Sequence, residues 1–187
     1  MIKKFSLCVF LIGVLWPQWS AASSFEDSLY NRLSEENVWQ DAHLFTLGRS
    51  KDFNVILYDL QLDANGNLNQ NEPIKGYWIK LAEDGHAEEL TYIQKSMAYG
   101  LVFEYVNPTN AQFSFVSYPQ RKLILQKGRD GKFYVHMKST DQSDVILTRI
   151  FVTIDGGTFW IPNVTLVSIY GIKTDNLTKF EEHIIPN

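Results

Sequence analysis

From His43 onward, apolar residues recur at every second position. In "KFYVHMK", Phe133, Val135 and Met137 share one side of an extended chain, and Lys132, Tyr134, His136 and Lys138 share the other. Phe113 and Phe115 alternate with Gln112 and Ser114 in the same way. A period of two marks a strand with one face buried and one wet. The pattern predicts nine strands: "HLFTLGRS", "FNVILYDLQL", "IKGYWIKLA", "GLVFEYV", "AQFSFVSY", "RKLILQK", "KFYVHMK", "DVILTRIFVTI" and "NVTLVSIYGIK". Turn chemistry separates them, including "NPTN", "YPQ", "KGRDGK", "STDQSD" and "IDGG".

Two stretches follow a helical period instead. "DGHAEELTYIQKSMAYG" carries Leu90, Ile93 and Met97 at helical spacing, with Glu88 and Glu89 near its start and Lys95 near its end. Acid first and base last suits a helix dipole, and Gly100 is a natural stop. A hairpin around Asp84-Gly85 competes with this helix. Residues 23–41 repeat Phe25, Leu29 and Leu33 behind a Ser24 cap, with Asp27 three residues on. The expected fold is mainly β: an antiparallel β-barrel or two-sheet sandwich, with one short inserted helix and an N-terminal helix. Closure would remove the free edges on which β proteins aggregate.

The first 22 residues stand apart from that domain. Lys3 and Lys4 precede the apolar run "FSLCVFLIGVLW", and Ser20 and Ala22 supply small residues before a cut after Ala22. This reads as a secretory signal peptide rather than a membrane anchor. It implies a periplasmic or secreted product with a helical segment at 23–41 and one β-rich domain over 42–187. The only cysteine, Cys8, lies within the leader, so the processed chain has neither a disulfide nor a thiol nucleophile.

The whole chain has 17 basic and 21 acidic side chains, a net charge of −4. Loss of Lys3 and Lys4 makes the processed form more acidic. That argues against nucleic acid, which is bound through a basic surface.

Candidate chemistry is sparse. "LDANGNLNQNEP" sets oxygen-bearing side chains at Asp63, Asn65, Asn67 and Asn69. A calcium loop needs glycine at its sixth position and glutamate at its twelfth, and here those are Leu68 and Ile74. Asn65-Gly66 reads instead as a tight turn. His43, His86, His136 and His183 are scattered singly, which offers zinc no recognisable spacing. The hydrolase elbow, the phosphate loop and the dinucleotide fingerprint are all missing. No catalytic residue, metal or cofactor is assigned. Gly76-Tyr77-Trp78 has the Gly-x-Trp spacing of lipocalins. In that family it opens the first strand, whereas here two strands precede it, so Trp78 reads as core.

Several spacings taken together resemble a known family. The series is "LFTLGRSKDFNVILYD", "EPIKGYWI", "EELTYIQKSMAYG", "RKLILQ", "LTRIFV" and "VSIYGIKT…EEHIIP". Its landmarks are Arg49-Ser50, Pro73 with Tyr77-Trp78, and Ala98-Tyr99-Gly100. From about His43 to Pro186 the chain resembles a family of exported bacterial proteins catalogued as domain of unknown function 4833. The resemblance implies a small exported domain and supplies no activity, ligand or catalytic residue.

Three classes of function remain. In the first, a barrel or sandwich mouth takes a small or lipid-like ligand, lined by Arg49, Tyr58, Trp78, Tyr99 and Arg121, with the two guanidinium groups suited to an anionic head. In the second, a sheet edge or face holds an envelope protein. The third, a hydrolase with a non-standard site, has no visible nucleophile beside a base. Convergence of Arg49, Trp78, Tyr99 and Arg121 on one concavity would favour the first.

Overall fold

The computed structural model describes residues 42–158, 162–175 and 178–186. The leader and the helix expected over 23–41 lie outside the described residues. All nine expected segments are strands, and two more join them. They are β1 (His43–Arg49), β2 (Val55–Leu60), β3 (Ile74–Ile79), β4 (Ala87–Glu89), β5 (Leu101–Val106), β6 (Asn110–Phe115), β7 (Tyr118–Lys127), β8 (Phe133–Lys138), β9 (Asp144–Gly157), β10 (Pro162–Lys173) and β11 (Lys179–Ile184).

The strands make neither a closed barrel nor two stacked sheets. One eleven-stranded sheet runs β4-β3-β2-β1-β9-β8-β7-β6-β5 and curls into an open half-barrel. The reason lies in β9. Its first residues pair with β8, with Ile146 opposite His136, and its later ones pair with β1, with Ile150 opposite Leu47. β10 accompanies β9 from Val145 to Gly157 and carries β11 beyond it. A strand has only two edges. Two antiparallel wings, β1–β4 and β5–β8, therefore share one edge of β9, each over part of its length. The β1–β9 pair is parallel, which corrects the expectation of a wholly antiparallel sheet.

The wings are held by apolar residues on their facing sides. Phe45 of β1 stacks on Tyr58 of β2 with ring centroids 4.5 Å apart. Both rings meet Phe115 of β6 edge-on, at 6.1 and 5.6 Å. Offset and edge-to-face contacts suit the ring quadrupole, and each buried ring contributes about 1.5–3 kcal/mol. Ile56, Trp78, Leu123, Leu125, Val135 and Met137 extend this core. Phe133, Val135 and Met137 point inward as their alternation predicts. Ser114, expected on the wet face, is buried instead. Gly76 lets the Tyr58 ring cross β3, since a Cβ there would lie 2.9 Å from Tyr58 Cε1.

The 84–100 segment uses both of its competing sequence readings. Gly85 takes a positive φ of 80° in the β3–β4 hairpin. A helical turn, α1 (Tyr92–Gln94), follows, and the chain widens into a π-helical turn at Lys95–Tyr99. Thr91 caps α1: its hydroxyl accepts from the Gln94 N–H while Gln94 Oε1 accepts from the Thr91 N–H. Glu88 and Glu89 belong to β4 rather than to the helix. The expected apolar stripe is split. Leu90 is buried, whereas Ile93 is 47% exposed and Met97 is 55% exposed.

In the 62–73 loop, the Asp63 carboxylate accepts the backbone N–H groups of Asn65 and Asn67 at 2.8 and 2.9 Å. Asn69 Oδ1 does the same for Asn71 and Glu72. Two of the four oxygens that suggested a cation site, those of Asp63 and Asn69, are thus turned onto their own backbone, as in Asx turns.

β10 crosses β9 closely at Gly171. A methyl group there would lie 2.4 Å from the Ile146 carbonyl oxygen and 2.5 Å from Val145 Cγ1. Gly171→Ala is therefore expected to destabilise the domain by about 1–3 kcal/mol. Thermal unfolding followed by circular dichroism measures this, and an unchanged melting temperature would contradict the packing described.

Candidate functional site

β1 ends at Arg49 because the tight turn Lys51–Asn54 reverses the chain. Lys51 takes a positive φ of 64°, and Asp52 Oδ1 accepts the Asn54 N–H. The same Asp52 receives the Arg49 guanidinium, with Nε at 2.9 Å and Nη2 at 2.6 Å from Oδ2. Arg49 Nη1 donates to the Tyr99 hydroxyl at 3.0 Å, and the guanidinium carbon lies 5.4 Å from the centre of the Trp78 ring. Trp78 meets Tyr99 edge-on at 5.6 Å. Tyr58 donates its hydroxyl to the Tyr99 carbonyl at 2.8 Å. Arg49, Tyr58, Trp78 and Tyr99 thus form one connected cluster.

The cluster is a clamp on the π-helical turn. Burial pushes the Tyr58 phenol well above its ordinary pKa, and the neighbouring Tyr99 adds to this. Burial also raises Tyr99, with Arg49 partly opposing it. Both phenols therefore stay neutral, and the Tyr58 hydrogen bond requires it, since that hydroxyl donates. Gly100 completes the device, because a Cβ there would meet the Lys95 carbonyl oxygen at 2.0 Å. Arg49 has committed its fork to Asp52 and Tyr99, so its expected role toward an anionic head group is not what its contacts show. Among the described residues, the Trp78 Nε1–H finds no hydrogen-bond partner.

Behind the clamp, a cleft of about 540 Å³ opens at the gap in the half-barrel. Its banks are Ile74 and Gly76 of β3 on one side and Leu101 and Phe103 of β5 on the other. Tyr58 and Leu90 line it too, as do Tyr92, Lys95, Ser96 and Tyr99 of the helical segment. Tyr58 and Tyr99 are the sequence-chosen residues that line it, while Arg49 and Trp78 stand outside the lining. Sequence reasoning missed Ile74, Leu90, Lys95, Leu101 and Phe103. The strands were legible, but nothing local says which edges face one another across a gap.

Arg121 belongs to a separate cluster. Its Nη2 reaches Glu182 Oε2 at 2.6 Å and the Lys138 carbonyl at 2.9 Å, and Nη1 reaches Glu182 Oε1 at 3.3 Å. Thr140 also donates to Glu182. This bidentate pair ties β11 to β7. Burial acts to raise the Glu182 pKa, but Arg121 and Thr140 outweigh it and hold the carboxyl below its ordinary 4.5.

Two other groupings invite a catalytic reading. His183 Nδ1 lies 3.0 Å from Ser168 Oγ, and its Nε2 lies 3.3 Å from Glu181. Ser168 and His183 are direct cross-strand partners, and the Ser168 side chain is only 4% exposed. A nucleophile must reach its substrate, and this residue is buried. Asp59 joins His43 Nδ1, at 2.9 Å, to the Tyr77 hydroxyl. Burial, reinforced by Asp59, pushes the Tyr77 phenol up, away from any acid–base role near neutrality.

No curated protein and no solved structure matches the chain. Among the described residues, no helix is long and apolar enough to cross a membrane, and no group of three or more histidine, cysteine or carboxylate side chains could hold a metal ion.

Replacing Arg49 with alanine leaves Asp52 and the Tyr99 hydroxyl without their partner. A loss of about 1–3 kcal/mol is expected, read as a shift in urea midpoint. The Glu182 carboxyl has a lower pKa folded than unfolded. Its contribution is therefore complete above pH 4.5 and is lost as pH falls below that value. Urea midpoints between pH 7 and pH 3 should fall less steeply in Arg121→Ala than in the parent. Parallel curves would refute the role given to this pair.

The family model described as "Domain of unknown function (DUF4833)" matches residues 45–183, well over half of the chain, and the protein belongs to that family.

Proposed function

We propose that this chain is an exported, non-catalytic binding module whose cleft takes the apolar body of a ligand. The single observation that carries this is the cleft. It sits where the sheet fails to close, and aromatic and aliphatic side chains from both wings wall it. Its volume of about 540 Å³ falls within the range of about 300–1,000 Å³ typical of ligand pockets. The clamp on Tyr99 holds one wall in place, which suits a preformed site. Export is supported by the basic start and apolar run of residues 1–22. Ser168, beside His183, is buried, so this grouping offers hydrolysis no accessible nucleophile.

The reading is tested with Nile red, an uncharged apolar fluorophore. Binding to the full chain should give a saturable rise in fluorescence. Phe103→Ser removes an aromatic wall and should weaken it about tenfold, at a circular dichroism spectrum unchanged from the parent. No saturable binding, or equal affinity in the folded variant, would refute the cleft as a binding site.

A further inference from the structure

We propose that Asn65 is a site of spontaneous deamidation, which the native fold holds in check through Asp63. Asn65-Gly66 is the only Asn-Gly pair in the chain. Asparagine is chemically labile, most of all before glycine, which brings no side chain to shield its backbone nitrogen. Both residues are exposed, in the loop that joins β2 to β3. The space beside Gly66 is open, since a Cβ there would meet nothing within 4 Å.

The chemistry needs only water and hydroxide. The Gly66 nitrogen gives its proton to hydroxide and attacks Asn65 Cγ. A new C–N bond forms and the bond from Cγ to the side-chain nitrogen breaks. That nitrogen takes a proton from water and leaves as ammonia, which restores the hydroxide. The product is a five-membered cyclic imide spanning the two residues. Water opens it at either carbonyl. One opening gives aspartate. The other gives isoaspartate, whose main chain runs through the former side chain and is one carbon longer.

In the folded loop the attacking nitrogen is engaged. Gly66 N–H donates to the Asp63 carbonyl at 3.0 Å, and Asp63 N–H donates to the Asn67 carbonyl at 2.8 Å. The Asp63 carboxylate holds the N–H groups of Asn65 and Asn67, which flank Gly66 and its partner in the reaction. The Gly66 nitrogen reaches Cγ only after it leaves the Asp63 carbonyl, so the loop must open first. The rerouted chain has a structural cost close by. Leu68, two residues after Gly66, is fully buried and bridges Leu62. Its N–H donates to the Pro108 carbonyl at 2.9 Å, which ties the loop to the turn between β5 and β6. An extra main-chain carbon before Gly66 shifts the loop out of step with that anchor.

The full chain, Asp63→Ala and Asn65→Gln are aged in mildly alkaline buffer, each with and without denaturing guanidinium chloride. Peptide mapping by mass spectrometry locates the mass gain of deamidation, and isoaspartyl methyltransferase labelling reports isoaspartate. Isomerisation at Asp84-Gly85, Asp130-Gly131 or Asp155-Gly156 brings no mass gain and is separated by the map. In native buffer, Asp63→Ala should deamidate at Asn65 about tenfold faster than the parent. In denaturant the two should share one fast rate, and Asn65→Gln should show no gain at that position. If circular dichroism shows Asp63→Ala to be unfolded, the parent alone decides, with a rate about tenfold or more higher in denaturant than in native buffer. No gain at Asn65 in the denatured parent, equal rates in the native and denatured parent, or equal native rates in the parent and a folded Asp63→Ala would overturn the proposal.

Discussion

A β-strand has two hydrogen-bonding edges, and β9 must serve three neighbours with them. β10 takes one edge along nearly the whole strand, so β8 and β1 divide the other. Two strands that share an edge end to end diverge as the sheet twists. The wings they carry are thereby turned so that their apolar sides face each other, and Phe45, Tyr58 and Phe115 fill the angle between them. The far strands, β4 and β5, never meet. The core and the gap thus have one origin. What a closed barrel would bury as a final ladder is here left as a cleft bordered by backbone.

The segment that crosses this gap is short and strongly constrained. A π-helical turn is uncommon, and it persists where surrounding contacts demand it. Tyr99 is held at three points: its hydroxyl by Arg49, its carbonyl by Tyr58 and its ring by Trp78. Of the residues that carried the family resemblance, Arg49, Trp78 and Tyr99 gather here and Ser50 stands at the adjoining strand end. Ser50 accepts the Ile154 N–H and donates to the Ile154 carbonyl, which fastens the end of β1 to β9. Spacings far apart in sequence are therefore parts of one physical unit.

The strands were legible because their burial is one-sided and periodic, as in β8. Those the pattern passed over show why it failed. β4 is Ala-Glu-Glu with every residue exposed, so it has no apolar period. β11 puts Glu182 between Phe180 and Ile184 on its half-buried side, where Arg121 compensates the charge. A pattern of apolar residues alone cannot register a salt bridge standing in for one. At the site, Tyr58 and Tyr99 line the cleft, where polar-tipped rings suit a wall that is both packed and wetted. Arg49 adjoins them through its contacts to Asp52 and Tyr99. Arg121 sits apart, and nothing local in the sequence signals its tie from β7 to β11.

The register shift in β5 has a consequence for how copies of this protein behave at high concentration. Between Phe103 and Tyr105 the pairing with β6 slips at Glu104. A bulge there bends the strand, so straight pairing on its outer side ends after Leu101 to Phe103. A neighbour molecule laying its own strand alongside would run out of register within a few residues. The kink thus interrupts fibril growth, and the sheet margin carries its own protection against runaway stacking.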